Sequence, residues 1–290
     1  MIGRMLAHLH PNLTIEYRWI ESEGDQQTDA SLAEAGGKGL FAQALHRALL
    51  ASEADLAVHS MKDLPADDQD AAGLIIAAVP PRADVRDCLI APPEVRTIDG
   101  LPTSATVGTA SPRRAAQLLM RRPDLRIQLI RGNVDTRLRR VLEDHRYDAT
   151  LLAAAGLQRA DLAQHADRPI DPDLMLPAAA QGALAIQCRS DDHTTLVRCL
   201  AINDSATAQA VHAERQVVAG LGGDCHSAIA VLAESAGDGG YRLRARVLSP
   251  DGGQCLRFDD TAPAKRLGRL AGQAVQALRA QGADRVLGSQ

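Results

Sequence analysis

Aromatic residues are nearly missing from this chain, with one tryptophan, three tyrosines and two phenylalanines in 290 positions. So few rings leave little for nucleotide bases to stack on, and a formal net charge of −4 removes the broad positive surface that nucleic acid requires. An RNA-binding protein is therefore a poor reading. No apolar run approaches the roughly 18 residues of a membrane-spanning helix, and Met1 to Pro11 is too short and interrupted for a secretory leader. The five cysteines (88, 188, 199, 225, 255) contain no Cys-x-x-Cys pair, so neither a disulfide framework nor a zinc site is expected. The nine histidines show no His-Glu-x-x-His spacing, and no metal is placed. The expectation is a soluble, cytoplasmic protein.

What is present is concentrated. Nine arginines fall between Arg113 and Arg140 against two acids, Asp124 and Asp135. In an acidic protein that is a local anion site. The length suits two or three domains, since single cores stop growing near about 250–300 residues.

Residues 1–10 read as an amphipathic helix stopped by Pro11, and Leu13 to Ile20 alternates in the manner of a strand. Glu21 to Gly37 reads as a long polar loop. A helix from Leu40 to Ala51 precedes buried strands ending at Ser60 and spanning Leu74 to Val79. A second unit starts near residue 82. Strand Thr106–Gly108 leads to a helix reaching Met120, strand Arg126–Ile130 to a helix over Val134–Glu143, and strand Ala149–Ala153 to a helical stretch through Leu157. This βαβαβ alternation predicts a doubly wound α/β sheet. Strand Leu184–Cys188 and helices over 191–202 and 205–220 follow. Three strands (228–234, 241–248, 254–260) and a helix over 264–280 then predict a small α+β domain.

Two places look chemical. An apolar run breaks into His59-Ser60-Met61-Lys62-Asp63 before Pro65, so a strand end delivers polar groups where α/β sheets bind ligands. Asp63 is the candidate catalytic carboxylate, able to accept N–H groups, balance a cation and move protons. Cys225 follows Gly222-Gly223-Asp224 in a flexible loop and is the candidate attachment thiol. Asp224 would raise its pKa and His226 offset that. Cys188 and Cys199 read as small buried hydrophobes. Arg113, Arg114, Arg131 and Arg137 stand at or just beyond strand ends and are assigned to carboxylate binding. Arg121, Arg122, Arg139 and Arg140 read as solvated helix faces.

Six motifs occur in order: Gly36-Gly37-Lys38-Gly39-Leu40-Phe41, Val58-His59-Ser60-Met61-Lys62-Asp63, Gly108-Thr109-Ala110-Ser111-Pro112-Arg113-Arg114, Arg131-Gly132-Asn133-Val134-Asp135-Thr136-Arg137-Leu138, Leu176-Pro177-Ala178-Ala179-Ala180-Gln181-Gly182-Ala183 and Gly222-Gly223-Asp224-Cys225. With them the chain resembles the hydroxymethylbilane synthases (porphobilinogen deaminases) over nearly its whole length. The resemblance implies a dipyrromethane cofactor joined to Cys225 by a thioether and Asp63 as the catalytic carboxylate. Cofactor and growing chain would be held by Ser60, Lys62, Thr109, Ser111, Arg113, Arg114, Arg131, Arg137, Gln181 and Arg189. It implies deamination and head-to-tail condensation of four porphobilinogen molecules, then hydrolytic release of hydroxymethylbilane. It also implies a monomer with two α/β domains like those of periplasmic solute-binding proteins, 1–80 with 180–200 and 82–178, plus an α+β domain over 203–290 that carries the cysteine.

The family's usual opening, of the type Thr-Arg-x-Ser-Pro-Leu-Ala, has no counterpart here. The expectation is a first sheet short of its N-terminal strand, with a true start upstream and with low stability or activity as written. Asp224 and Ala228 replace the usual Gly and Pro, and Pro112 enters the Thr-Ser-Arg-Arg loop. The alternatives are an impaired or truncated homologue, or a non-enzymatic binder of anionic solutes, which would leave Asp63 and Cys225 without a task.

Overall fold

In the computed structural model, residues 1–20, 40–66, 72–224 and 226–288 are described. The predicted loop over 21–37, the Gly36–Gly39 part of the first motif and Cys225 lie outside them. The chain divides into two compact units, Met1–Arg82 with Ala183–Gln209, and Ala83–Gly182 with Ala210–Gln290.

In the first unit, α1 (Ile2–Leu9) buries Ile2 and Leu6 and ends two residues before Pro11. The predicted strand over 13–20 is not one: these residues lie in no described strand. Alternation orients side chains but does not make a ladder, and only its first half is used. Leu13 and Ile15 pack on the core, while Tyr17 and Trp19 are 69% and 93% exposed.

Helix α2 (Leu40–Leu50) packs on a three-stranded sheet of β1 (Leu56–Ser60), β7 (Leu184–Arg189) and β2 (Leu74–Ala78), in the order β1-β7-β2. β7 runs antiparallel to both neighbours and is buried through Cys188. Among the described residues β1 lies at the edge of this sheet, and its Val58, expected to be buried, is 41% exposed. One sheet face buries Ala57 and Leu74 under Leu49. The other meets Ile2, Leu6, Cys199 and Ile202, the last two from or just after α6 (His193–Leu200).

The second unit holds a mixed sheet in the order β3-β6-β4-β5, from β3 (Asp87–Ile90), β4 (Thr106–Gly108), β5 (Arg126–Gln128) and β6 (Ala149–Ala153). β4 is parallel to β5 and β6, whereas β3, which sequence periodicity did not predict, is antiparallel to β6. The helices are α3 (Pro112–Arg121), α4 (Val134–Leu142) and α5 (Ala154–Arg159). Ser111 caps α3, its hydroxyl accepting from Arg114 N with Pro112 at the first position, and Asn133 caps α4 by accepting from Thr136 N.

After α7 (Ser205–Gly220) comes an antiparallel sheet of β8 (Ile229–Gly237), β9 (Gly240–Leu248) and β10 (Cys255–Pro263), with β9 central. α8 (Leu267–Ala280) buries Leu267, Leu270, Ala271, Ala274 and Leu278, and α9 (Ala283–Gly288) follows. The β9–β10 turn lies against α3. Gly252 has φ +71°, and a Cβ there would stand 2.4 Å from Met120 N, so only glycine fits.

Candidate active site

The chain fold delivers Ser60 at the end of β1, and a single 3-10 turn, Met61–Asp63, follows. Buried Met61 and Leu64 anchor the turn, whose first amide donates to Ala183 O at 3.1 Å. Lys62 is half-buried and Asp63 is exposed. A carboxylate held out on a pinned turn is accessible to a ligand.

Arg189 is not brought to that turn. Ser60 pairs with Leu184 and Leu56 with Cys188, so Arg189 lies at the opposite end of the sheet, about 16 Å along β7 from Ser60's partner. There Nη1 donates to Leu49 O and Ala54 O, each at 2.8 Å, and Nη2 to Asp192 at 3.0 Å. It ties down the carboxyl end of α2. Its guanidinium is thus engaged within the fold at that end of the sheet.

In the second unit the polar groups converge on Asp87, the first residue of β3, which is fully buried. Oδ2 accepts from Arg113 Nη2 at 2.8 Å; Oδ1 accepts from Arg114 Nη2 at 2.7 Å and Gln181 Nε2 at 3.0 Å. Burial opposes ionisation of Asp87, but the two guanidinium groups outweigh it and hold the carboxyl below the usual range. Arg113 also donates to Leu176 O and Arg114 to Leu151 O. Both arginines thus face inward from the first turn of α3. Arg113 has its forked donors occupied, whereas Arg114 Nε is buried with no partner among the described residues.

Around this cluster stand further cations. Arg137 donates to Gly132 O at 2.8 Å; burial and then the charges of Arg114 and Arg140 lower its pKa. Arg140 donates to Arg131 O, and Arg131 is half-buried at the head of α4. Among the described residues no carboxylate pairs with Arg137. Thr109 is buried at the end of β4, where its hydroxyl accepts from Ser111 N at 3.1 Å. Thr109 and Ser111 therefore shape the loop before α3. Outside the cluster, Arg121 pairs with Asp99, Arg122 with Asp124 and Arg139 with Asp144.

Two residues of this site had no place in the sequence reading. Asp87 opens the strand that periodicity did not reveal, and its only signal was an acid before Cys88-Leu89-Ile90-Ala91. Arg159, in the last turn of α5, donates to Gly182 O at 2.7 Å; burial lowers its pKa, and no carboxylate among the described residues pairs with it. Nothing in its neighbourhood of small residues marks it. Near Cys225, Asp224 Oδ1 accepts from His226 N at 2.9 Å and Ser227 Oγ at 3.0 Å, so this carboxylate is engaged in shaping the loop.

The donor set suits a group bearing several carboxylates. Among the described residues Arg113 and Arg114 share one acid, Arg114 retains a buried unpartnered N–H, and Arg137 and Arg159 lack acids of their own.

Comparison with known proteins gives the following. The family model "Porphobilinogen deaminase, dipyromethane cofactor binding domain" matches residues 1–197, and "Porphobilinogen deaminase, C-terminal domain" matches residues 208–275. Porphobilinogen deaminase of Legionella pneumophila (strain Lens) is 42% identical over 99% of this chain and 91% of its own length. That of Brevibacillus brevis is 42% identical over 96% and 88%, and that of Paracoccus denitrificans 46% over 84% and 77%. Among solved structures, a YaeC-family lipoprotein of Enterococcus faecalis is 17% identical with a TM-score of 0.36 over 57% of this chain and 77% of its own, a likeness too slight to bear on the fold.

Proposed function

Because the chain belongs to the porphobilinogen deaminase family, we propose that Asp63 is its catalytic carboxylate and Cys225 the attachment point of its dipyrromethane cofactor. The activity is that of a hydroxymethylbilane synthase, a transferase of porphyrin and haem biosynthesis that joins porphobilinogen units and releases hydroxymethylbilane. When bound, the dipyrromethane supplies the electron-rich pyrrole carbon to which substrate units are joined.

The chain's own residues then divide the work. Asp63, carried on its pinned turn, accepts pyrrole N–H groups, gives a proton to the departing amine and balances the cation left behind. Ser60 and Lys62 beside it offer a hydroxyl and an ammonium. Arg114, Arg131, Arg137 and Arg159 receive carboxylates, while Arg113, Gln181 and Asp87 hold Arg114 in register. Thr109 and Ser111 present the loop at the head of α3. We assign residues 1–80 with 180–200, 82–178 and 203–290 as three working parts, in a cytoplasmic monomer that takes a small-molecule substrate and no nucleic acid. Among the described residues no helix is long and apolar enough to cross a membrane.

The observation that carries this site assignment is the sharing of one buried acid, Asp87, by Arg113 and Arg114, with Arg114 close enough to Arg137 for its charge to lower the pKa there. Intact mass of the purified protein beside a Cys225→Ala variant, with porphobilinogen consumption followed on both, tests it. A mass excess equal to a dipyrrole in the parent only, with consumption lost in the variant, is expected. An excess that survives the substitution would overturn the assignment of Cys225.

A further inference from the structure

One guanidinium in the second unit has no task in the scheme above. Arg246 on β9 is half-buried, and among the described residues no carboxylate pairs with it, whereas Arg242 on the same strand meets Asp259 and Arg244 meets Asp173 and Glu234. Its donors go to neutral acceptors instead: Nη1 to Gln117 Oε1 at 3.0 Å and Nη2 to the main-chain oxygen of Asp173 at 2.7 Å. Keeping an unmatched cation half out of water is costly unless its geometry is used.

Gln117, on α3, is 1% exposed. Its Oε1 also accepts from Leu176 N at 2.9 Å, and its Nε2 donates to Leu176 O at 3.0 Å and Arg113 O at 3.3 Å. Leu176 O is the same oxygen that accepts from Arg113 Nη1 at 2.7 Å. A side-chain amide has two orientations of nearly equal shape. Turned over, Gln117 would set its NH₂ group against the Leu176 amide and the Arg246 guanidinium, donor against donor. Arg246 therefore joins the Leu176 amide in holding the orientation that steadies the carbonyl aiming Arg113 at Asp87.

We propose that Arg246 is a positioning residue for anion binding, acting through Gln117 and the Leu176 carbonyl to fix Arg113, and with it Asp87 and Arg114. This rests on the reading above, in which that cluster serves the carboxylates of substrate and cofactor. The test is steady-state kinetics with porphobilinogen on the loaded enzyme, for Arg246→Ala, Arg246→Lys, Gln117→Leu and the Arg246→Ala/Gln117→Leu pair, with urea midpoints on the same samples. Losing the charge-assisted hydrogen bond to Gln117 Oε1 should raise KM roughly tenfold for Arg246→Ala, with kcat within about twofold. Lysine, still able to donate to Oε1, should recover part of that. The pair should be no worse than Gln117→Leu alone, since both act on one carbonyl.

Effects that multiply in the pair, or an unchanged KM in a folded Arg246→Ala, would overturn the proposal. If Arg246→Ala does not fold, an unchanged KM for Arg246→Lys overturns it equally. A parent protein that leaves porphobilinogen untouched would refute the activity and not the link. The urea midpoints then decide the link, with additive shifts counting against it.

Discussion

Arg114 Nη2 stands 2.7 Å from Asp87 Oδ1 where both side chains are almost wholly withdrawn from water, and Arg113 holds the other oxygen of the same carboxylate. A single acid thus sets the direction of two cations. Replacing Asp87 with asparagine preserves the shape and removes the charge that both share. Breaking a buried pair from one side costs about 3–5 kcal/mol, so Asp87→Asn should lower the urea unfolding free energy by that much. A loss under about 1 kcal/mol would mean that the guanidinium groups find compensation elsewhere.

Arg189 and Arg137 should separate cleanly. Arg189→Met removes a donor from the carbonyls of Leu49 and Ala54, and a loss of roughly 1–3 kcal/mol is expected with kcat/KM per folded molecule unchanged. Arg137→Met removes, among the described residues, one side-chain hydrogen bond, that to Gly132 O. Its stability should stay within about 0.5 kcal/mol of the parent, while KM for porphobilinogen rises about tenfold or more. Denaturation and kinetics on the two variants would expose a reversed assignment.

Asp63→Asn keeps the side chain's size on an exposed position, so the melting temperature should not move. Loss of a proton-transferring carboxylate lowers kcat by a factor on the order of 10²–10⁴. A variant retaining a tenth of parental kcat would take Asp63 out of the chemistry.

A pH dependence follows from His59. The ring is 7% exposed, its centroid lies 5.9 Å from that of His46, and burial, then the neighbouring histidine, push its pKa down to about 4. Below about pH 6.5 the unfolded chain takes up a proton that the folded chain refuses until about pH 4. Stability should fall as pH drops through that window, by about 3 kcal/mol in total from this residue, and level off beneath it. His59→Gln should flatten that part of the curve. Parallel curves for variant and parent would contradict it.

Most strands and helices were legible in the sequence, from Leu56–Ser60 to the helix over 267–280. The concentration of arginines between Arg113 and Arg140 could be read directly, but not their places, since Arg113 and Arg114 stand in the first turn of α3 and Arg137 within α4. The strand Asp87–Ile90 was not legible. It is four residues long, wholly buried and without alternation, so its pattern has no period to detect. Asp87 went with it. The expected strand over 13–20 failed for the opposite reason, an alternation without a described neighbour to pair with. Arg189 shows a third limit, since its place at the far end of β7 depends on register, which only the paired strands reveal.

Two guanidinium groups against one carboxylate leave the interior beside β3 with a surplus unit of positive charge. A fold that carries such a surplus is under its own electrostatic tension, relieved by whatever anion settles at the rim. Heat resistance of the second unit then becomes a gauge of loading. A preparation in which some molecules carry the anionic group and others do not would melt in two steps, and the ratio of the steps would count the charged molecules without any assay of turnover.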